Sequence, residues 1–158
     1  MKELVLMRHG LALSAREPGP LADAGRKLSR DGKAQIAASS KRLRELGFSP
    51  GIIISSPFLR AVDTADITAR HFPAAKRLTE PALASADSVS RILNAITSDA
   101  AGEPCVLVVG HQPTLSSLCA LLLRSEVLPL STGGFAYLKL SGGSGNAKLA
   151  EFFAPETI

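Results

Sequence analysis

Apolar residues along this chain are gathered into short runs, separated by stretches with a helical period. Four runs have the length of strands: ELVLMR (3–8), GIIISS (51–56), PCVLVVG (104–110) and FAYLKL (135–140). The first three are almost uninterrupted Val, Ile and Leu, the pattern of strands covered on both faces. Between them the period changes. Segment 29–47 places Ile36, Ala37, Leu43 and Leu46 on a recurring face and ends at Gly47, a helix-stop residue. Segment 56–72 opens Ser-Pro, with the proline expected in the first helical turn, and stops before Pro73. Segments 85–100 and 112–125 complete the predicted helices.

Strand and helix alternation of this kind predicts an α/β fold, a three-layer α/β/α sandwich around a mostly parallel central sheet. No internal repeat or linker interrupts the pattern, so residues 1–158 are expected to form a single domain. Residues 11–28, rich in Pro, Gly, Ala and Ser, read as a loop over the carboxyl end of the first strand. SGGSGNAK (141–148) reads as a hairpin loop and LAEFFA (149–154) as a last edge strand.

In such sheets ligands bind beyond the carboxyl ends of the strands. Three strands here end in chemically loaded residues. The first runs into Arg8-His9-Gly10, the second into SSPFLR with Arg60, and the third into Gly110-His111-Gln112-Pro113. Parallel pairing would bring two guanidiniums and two imidazoles to one edge. Arginine's planar fork matches phosphate oxygens and keeps its charge at any working pH. A neutral imidazole is a competent nucleophile, and nearby arginines disfavour its protonation. The residues are placed to meet an anion.

Composition narrows the partners. The chain has a net charge of +4 and a pI near 9.4, which suits an anionic substrate. It carries neither a concentrated basic stripe nor an aromatic platform, so no nucleic acid is expected as a partner. No stretch approaches the ~20 apolar residues of a membrane span, and the amino terminus lacks a signal-peptide pattern. The chain therefore reads as cytoplasmic, with no membrane association. No cofactor is expected, and no metal, because the three histidines lie far apart without a carboxylate pair. Cys105 and Cys119 read as small buried hydrophobes, with a disulfide as the alternative.

Three motifs, LVLMRHG (4–10), SSPFLRAVDTA (55–65) and VLVVGHQPTLSSL (106–118), resemble those of the histidine phosphatase superfamily, in the same order. The resemblance implies a phosphoglycerate mutase-like fold and phosphoryl hydrolysis through a phosphohistidine enzyme intermediate. By that resemblance His9 would be the nucleophile, and Arg8, Arg60 and His111 would complete the phosphate pocket. The motif wording is closest to the SixA-type phosphohistidine phosphatases. Ala12 stands where the mutase branch usually has serine, Gln112 where relatives often show asparagine, and the chain has no room for lid insertions. A monomer acting on a phosphohistidine protein is therefore expected. A phosphomonoesterase acting on a phosphorylated small molecule is the alternative, and a non-catalytic phosphate-binding module is remote.

The proton donor is the least defined part. Glu80 and Asp87, within LTEPALASAD, are the candidates, and neither sits in a clear motif. An ester's alkoxide needs an acid, since its conjugate acid is about as weak as water, pKa about 15.7. A departing imidazole, with a pKa of about 6.5, asks for much less. Structural roles compete for several of these residues. Arg60 could pair with Asp63 or Asp66 on its own helix, His111 and His71 could cap helices, and Ser55 and Ser56 could satisfy backbone donors. The charges of KRLREL (41–46) read as a solvated helix face, or as a greeting for an acidic partner.

Overall fold

The computed structural model describes residues 1–15, 17–141 and 147–156. Six strands form one sheet: β1 (Glu3–Arg8), β2 (Ile52–Ser55), β3 (Lys76–Thr79), β4 (Cys105–Gly110), β5 (Phe135–Leu140) and β6 (Ala147–Phe153). Their order is β3-β2-β4-β1-β5-β6. The pairings β3–β2, β2–β4 and β4–β1 are parallel, whereas β5 and β6 run antiparallel at one edge.

The apolar runs explain the three central strands. Leu4–Met7, Ile53–Ile54 and Val106–Val109 are fully buried. Their side chains alternate between two cores because successive strand residues face opposite ways. Leu4, Leu6, Ile54, Val106 and Val108 join Ile92 and Ile96 of α4 (Val89–Ala100) and Leu115 and Leu118 of α5 (Thr114–Leu123). Val5, Met7, Ile53, Leu107 and Val109 pack on Ile36 and Leu43 of α2 (Arg30–Glu45) and Ala61 and Ala65 of α3 (Leu59–His71). The three-layer α/β/α architecture is as the alternation predicted.

Several boundaries differ, each for a local reason. Helix α3 starts at Leu59, so Pro57 precedes the helix rather than sitting in its first turn. Helix α4 starts at Val89, where the Ser88 hydroxyl accepts a hydrogen bond from the Arg91 amide, four residues after the expected start at 85. Gly47, with φ of 79°, lies just past the C-cap Leu46 of α2 and supplies the left-handed turn that ends it. Strand β3 went unpredicted because its KRLT is exposed along its whole length, as charged edge strands are. The stretch 11–28 is not all loop: it contains the short helix α1 (Pro20–Ala24). A 3-10 turn, Pro81–Ala84, follows β3. Of the expected hairpin loop at 141–148, residues 142–146 lie outside the described residues.

The cysteines are both free. Cys119 is buried as expected, but Cys105 is only half-buried and donates its thiol to Glu3 at 2.9 Å. The KRLREL face is not simply solvated, since Arg42 reaches Glu151 on β6 at 2.5 Å. No helix among the described residues is long and apolar enough to cross a membrane.

Candidate active site

Sheet order makes the site. β4 lies between β1 and β2, with Arg8 level with Gly110 and Ser55 level with Val109. The residues that follow these three strands therefore emerge side by side. The His9 amide bonds back to the Gly110 carbonyl at 3.1 Å, and the Ser56 amide to Val109 at 3.0 Å. His9 and His111 consequently face each other, their ring centroids 5.2 Å apart.

His9 is only 9% exposed, and its proton is placed by the backbone. Its Nδ1 lies 2.7 Å from the Gly10 carbonyl, which can only accept, so Nδ1 carries the hydrogen and Nε2 keeps its lone pair. The Arg60 Nε donates toward that Nε2 at 3.4 Å. Burial pushes the His9 pKa down to about 4, against the pull of the Gly10 bond, and the charges of Arg60, Arg8 and Arg26 add to the lowering. His9 is neutral at pH 7, with its lone pair turned toward a guanidinium.

The Gly10 carbonyl is fixed by close approach. The Gly10 amide donates to Thr64 Oγ1 at 3.1 Å, and the Leu11 amide to Gln35 Oε1 at 2.9 Å. A Cβ on Gly10 would lie 2.7 Å from the Gly32 carbonyl oxygen, and one on Gly32 only 2.1 Å from that of Leu11. Two glycines let the start of α2 press on the backbone that orients His9.

His111 has the same tautomer, set by a different partner. Its Nε2 lies 2.7 Å from the Ser56 hydroxyl, whose oxygen already accepts from the Phe58 amide at 3.2 Å. The hydroxyl hydrogen is thus free to bond Nε2, leaving a proton on Nδ1, a buried atom with no hydrogen-bond partner among the described residues. Burial, and then the charges of His9, Arg60 and Arg8, lower the His111 pKa to about 4, with Asp23 opposing. Ser56 satisfies a backbone donor, as the sequence suggested, and also orients His111. The latter role went unforeseen.

Arg60, on the first turn of α3, is 8% exposed and lies over the Phe58 ring at 5.0 Å. It does not pair with Asp63 or Asp66. Asp63 accepts from the Leu28 amide and Asp66 pairs with Arg77. Its partner is Asp23 of α1, through the carbonyl at 2.9 Å and the carboxylate at 3.4 Å. Asp23 also holds Arg26 at 3.2 Å. Burial pushes the Asp23 carboxyl up, but Arg26 and Arg60 outweigh it and hold the group below its ordinary value. Neither Asp23 nor Arg26 was singled out in the sequence. A readable signal existed: Pro20 at a helix start followed by an acid in the first turn.

Arg8 donates Nη1 to the Leu130 carbonyl at 2.9 Å, while its Nε is buried without a partner among the described residues. Desolvation lowers its pKa, yet its charge still reaches both imidazoles. Beside Arg60 and His111 opens a cavity of about 490 Å3 whose walls include Phe58, Leu83, Pro113 and Asp87. Glu80, the other candidate donor, is not in those walls. Its carboxylate accepts from the Ala82 amide at 2.8 Å, and its proximity, after burial, helps push the Asp99 carboxyl up to about 6. His71 is the last residue of α3. No group of three metal-ligating side chains occurs among the described residues.

Chemically, the cluster offers a neutral nucleophilic nitrogen, a buried guanidinium beside it and an unpartnered imidazole N–H across from it. Such a set can receive a phosphoryl group and hold its oxygens. Comparison with known proteins leads to the same chemistry. Residues 4–86 match the model of the histidine phosphatase superfamily (branch 1). An uncharacterized protein of Picosynechococcus sp. is 32% identical over 114 residues, 72% of this chain and 68% of its own. A protein histidine phosphatase SixA complexed with tungstate superposes with a TM-score of 0.81 at 25% identity, over 97% of each chain. A protein provisionally assigned as phosphohistidine phosphatase SixA, from Nakamurella multipartitia, gives 0.83 at 26% identity, over 99% of this chain and 97% of its own. With strand ends, motif order and whole-chain likeness in agreement, this chain belongs to the histidine phosphatase superfamily, branch 1, and is a phosphatase.

Proposed function

We propose that this phosphatase hydrolyses phosphohistidine on a protein, with His9 as the group that takes the phosphoryl. The observation that carries the reading is the Gly10 carbonyl at 2.7 Å from His9 Nδ1, which leaves Nε2 unprotonated beside Arg60. Nε2 attacks phosphorus, and the bond to the leaving group breaks on the far side. Arg60, Arg8 and the His111 Nδ1–H hold the non-bridging oxygens. Water then attacks the phosphorylated His9 and returns the P–N electron pair to Nε2.

The substrate class is supported by what surrounds the cluster. The connection from β3 to α4 is only residues 80–88, too short to carry a folded lid. Glu80 is bound to the Ala82 amide and does not line the cavity. A leaving imidazole tolerates that arrangement, whereas an alkoxide does not. Likeness to SixA-type proteins across nearly the whole chain points the same way. A small-molecule phosphomonoesterase is the second reading, and Asp87 in the cavity wall is what favours it.

Side-by-side assay on a phosphohistidine protein, a phosphoserine peptide and a sugar phosphate separates the two. The phosphohistidine reading expects kcat/KM to be highest on the first substrate. A sugar phosphate turned over equally well would favour the second reading.

A further inference from the structure

We propose that the Asp87 carboxylate accepts a hydrogen bond from the far ring nitrogen of the phosphohistidine substrate, the one not bonded to phosphorus. By doing so it holds that ring in its protonated, readily departing form. The proposal rests on the phosphohistidine reading and deepens it by giving Asp87 a catalytic task.

The cavity lining is chemically mixed. Arg60 and His111 share it with the residues from Leu83 to Asp87. Phe58, Ile92 and Pro113 in the same lining suit a flat ring. Among the described residues, Asp87 is the only carboxylate in those walls. One of its oxygens, Oδ1, accepts the Ser88 amide at 2.9 Å and lies 3.8 Å from Arg91. The other, Oδ2, has no partner among the described residues. Arg91 on α4 is its ion-pair neighbour, and Arg60 on α3 and the neutral His111 after β4 share the cavity lining with it.

Leaving-group chemistry gives that oxygen a purpose. In a neutral phosphohistidine the far nitrogen is bare, and cleavage of the P–N bond would expel an imidazolate anion. With a solvent proton on the far nitrogen, His9 attack returns the P–N pair to the ring and releases neutral imidazole. The proton leaves with the product, so no acid has to reach the bridging atom. The site treats its own nucleophile alike, because the Gly10 carbonyl keeps a proton on Nδ1 of His9, the nitrogen far from the incoming phosphoryl. Asp87 is to the substrate's ring what Gly10 is to the enzyme's.

The test uses Asp87→Asn and Asp87→Glu, assayed on a phosphohistidine protein and on 4-nitrophenyl phosphate, whose phenolate has no far nitrogen to protonate. One charge-assisted hydrogen bond corresponds to about 10- to 100-fold in rate. In Asp87→Asn the loss of kcat/KM at pH 7 should be at least about tenfold greater on phosphohistidine than on the aryl ester. Its phosphohistidine rate should begin to decline at lower pH than in the wild type, and Asp87→Glu should recover part of it. Equal losses on both substrates, with the wild type active on phosphohistidine, would overturn this proposal alone. A wild type inactive on phosphohistidine would overturn the functional reading beneath it as well.

Discussion

At His9 the proton inventory decides what the residue can do. Nδ1 is committed to the Gly10 carbonyl, and burial with three nearby arginines keeps the ring neutral. The same lowering makes the protein sensitive to acid. Folded, His9 and His111 titrate near pH 4, whereas an unfolded histidine titrates at about 6.5. Between those values the unfolded chain binds protons that the folded one refuses, so this contribution is complete above pH 6.5 and is lost as pH falls toward 4. For His9 alone it is about 3 kcal/mol. Asp99, raised to about 6 by burial and by Glu80, works in the opposite sense, so the wild type must be read against a variant. Urea unfolding of His9→Gln/His111→Gln should depend less steeply on pH than the wild type between pH 4 and 6.5. Identical slopes would mean that the two rings are not held neutral.

At the scale of elements, the site depends on how tightly α2 sits on residues 10–11. A Cβ on Gly32 would lie 2.1 Å from the Leu11 carbonyl oxygen, so Gly32→Ala must displace the helix or the backbone that aims Gly10 at His9. Overpacking of this kind costs about 1–3 kcal/mol, and here it should also lower kcat. Gly47→Ala is the control. Its Cβ would meet nothing within 4 Å, but its φ of 79° is strained for alanine, so stability should fall by about 1–2 kcal/mol with kcat unchanged. Equal kcat in both variants, measured beside thermal melts, would detach α2 from the function. Elements were legible in the sequence where burial dictated composition: β1, β2 and β4 are apolar on both faces. Strand β3 and α1 were not. The exposed Lys76–Thr79 pairs with β2 without burying a residue, and α1 has no buried residue either.

Over the whole molecule, one topological fact assembles the site: β4 runs between β1 and β2, all three parallel. That is why His9, Arg60 and His111 could be read from strand-end positions far apart in the chain. Asp23 could not be read in this way, because it reaches Arg60 from a helix outside the sheet. Ser56 was visible only as a helix-start residue, since its bond to His111 crosses between strands. The proposed mechanism requires a phosphoryl group to rest on His9 during turnover. Rapid quench of the enzyme with a radiolabelled phosphohistidine protein measures this most directly. The label should be acid-labile and alkali-stable, map to His9, and be absent from His9→Ala, which should retain no activity. An unlabelled wild-type enzyme caught in mid-turnover, or full activity in His9→Ala, would contradict it.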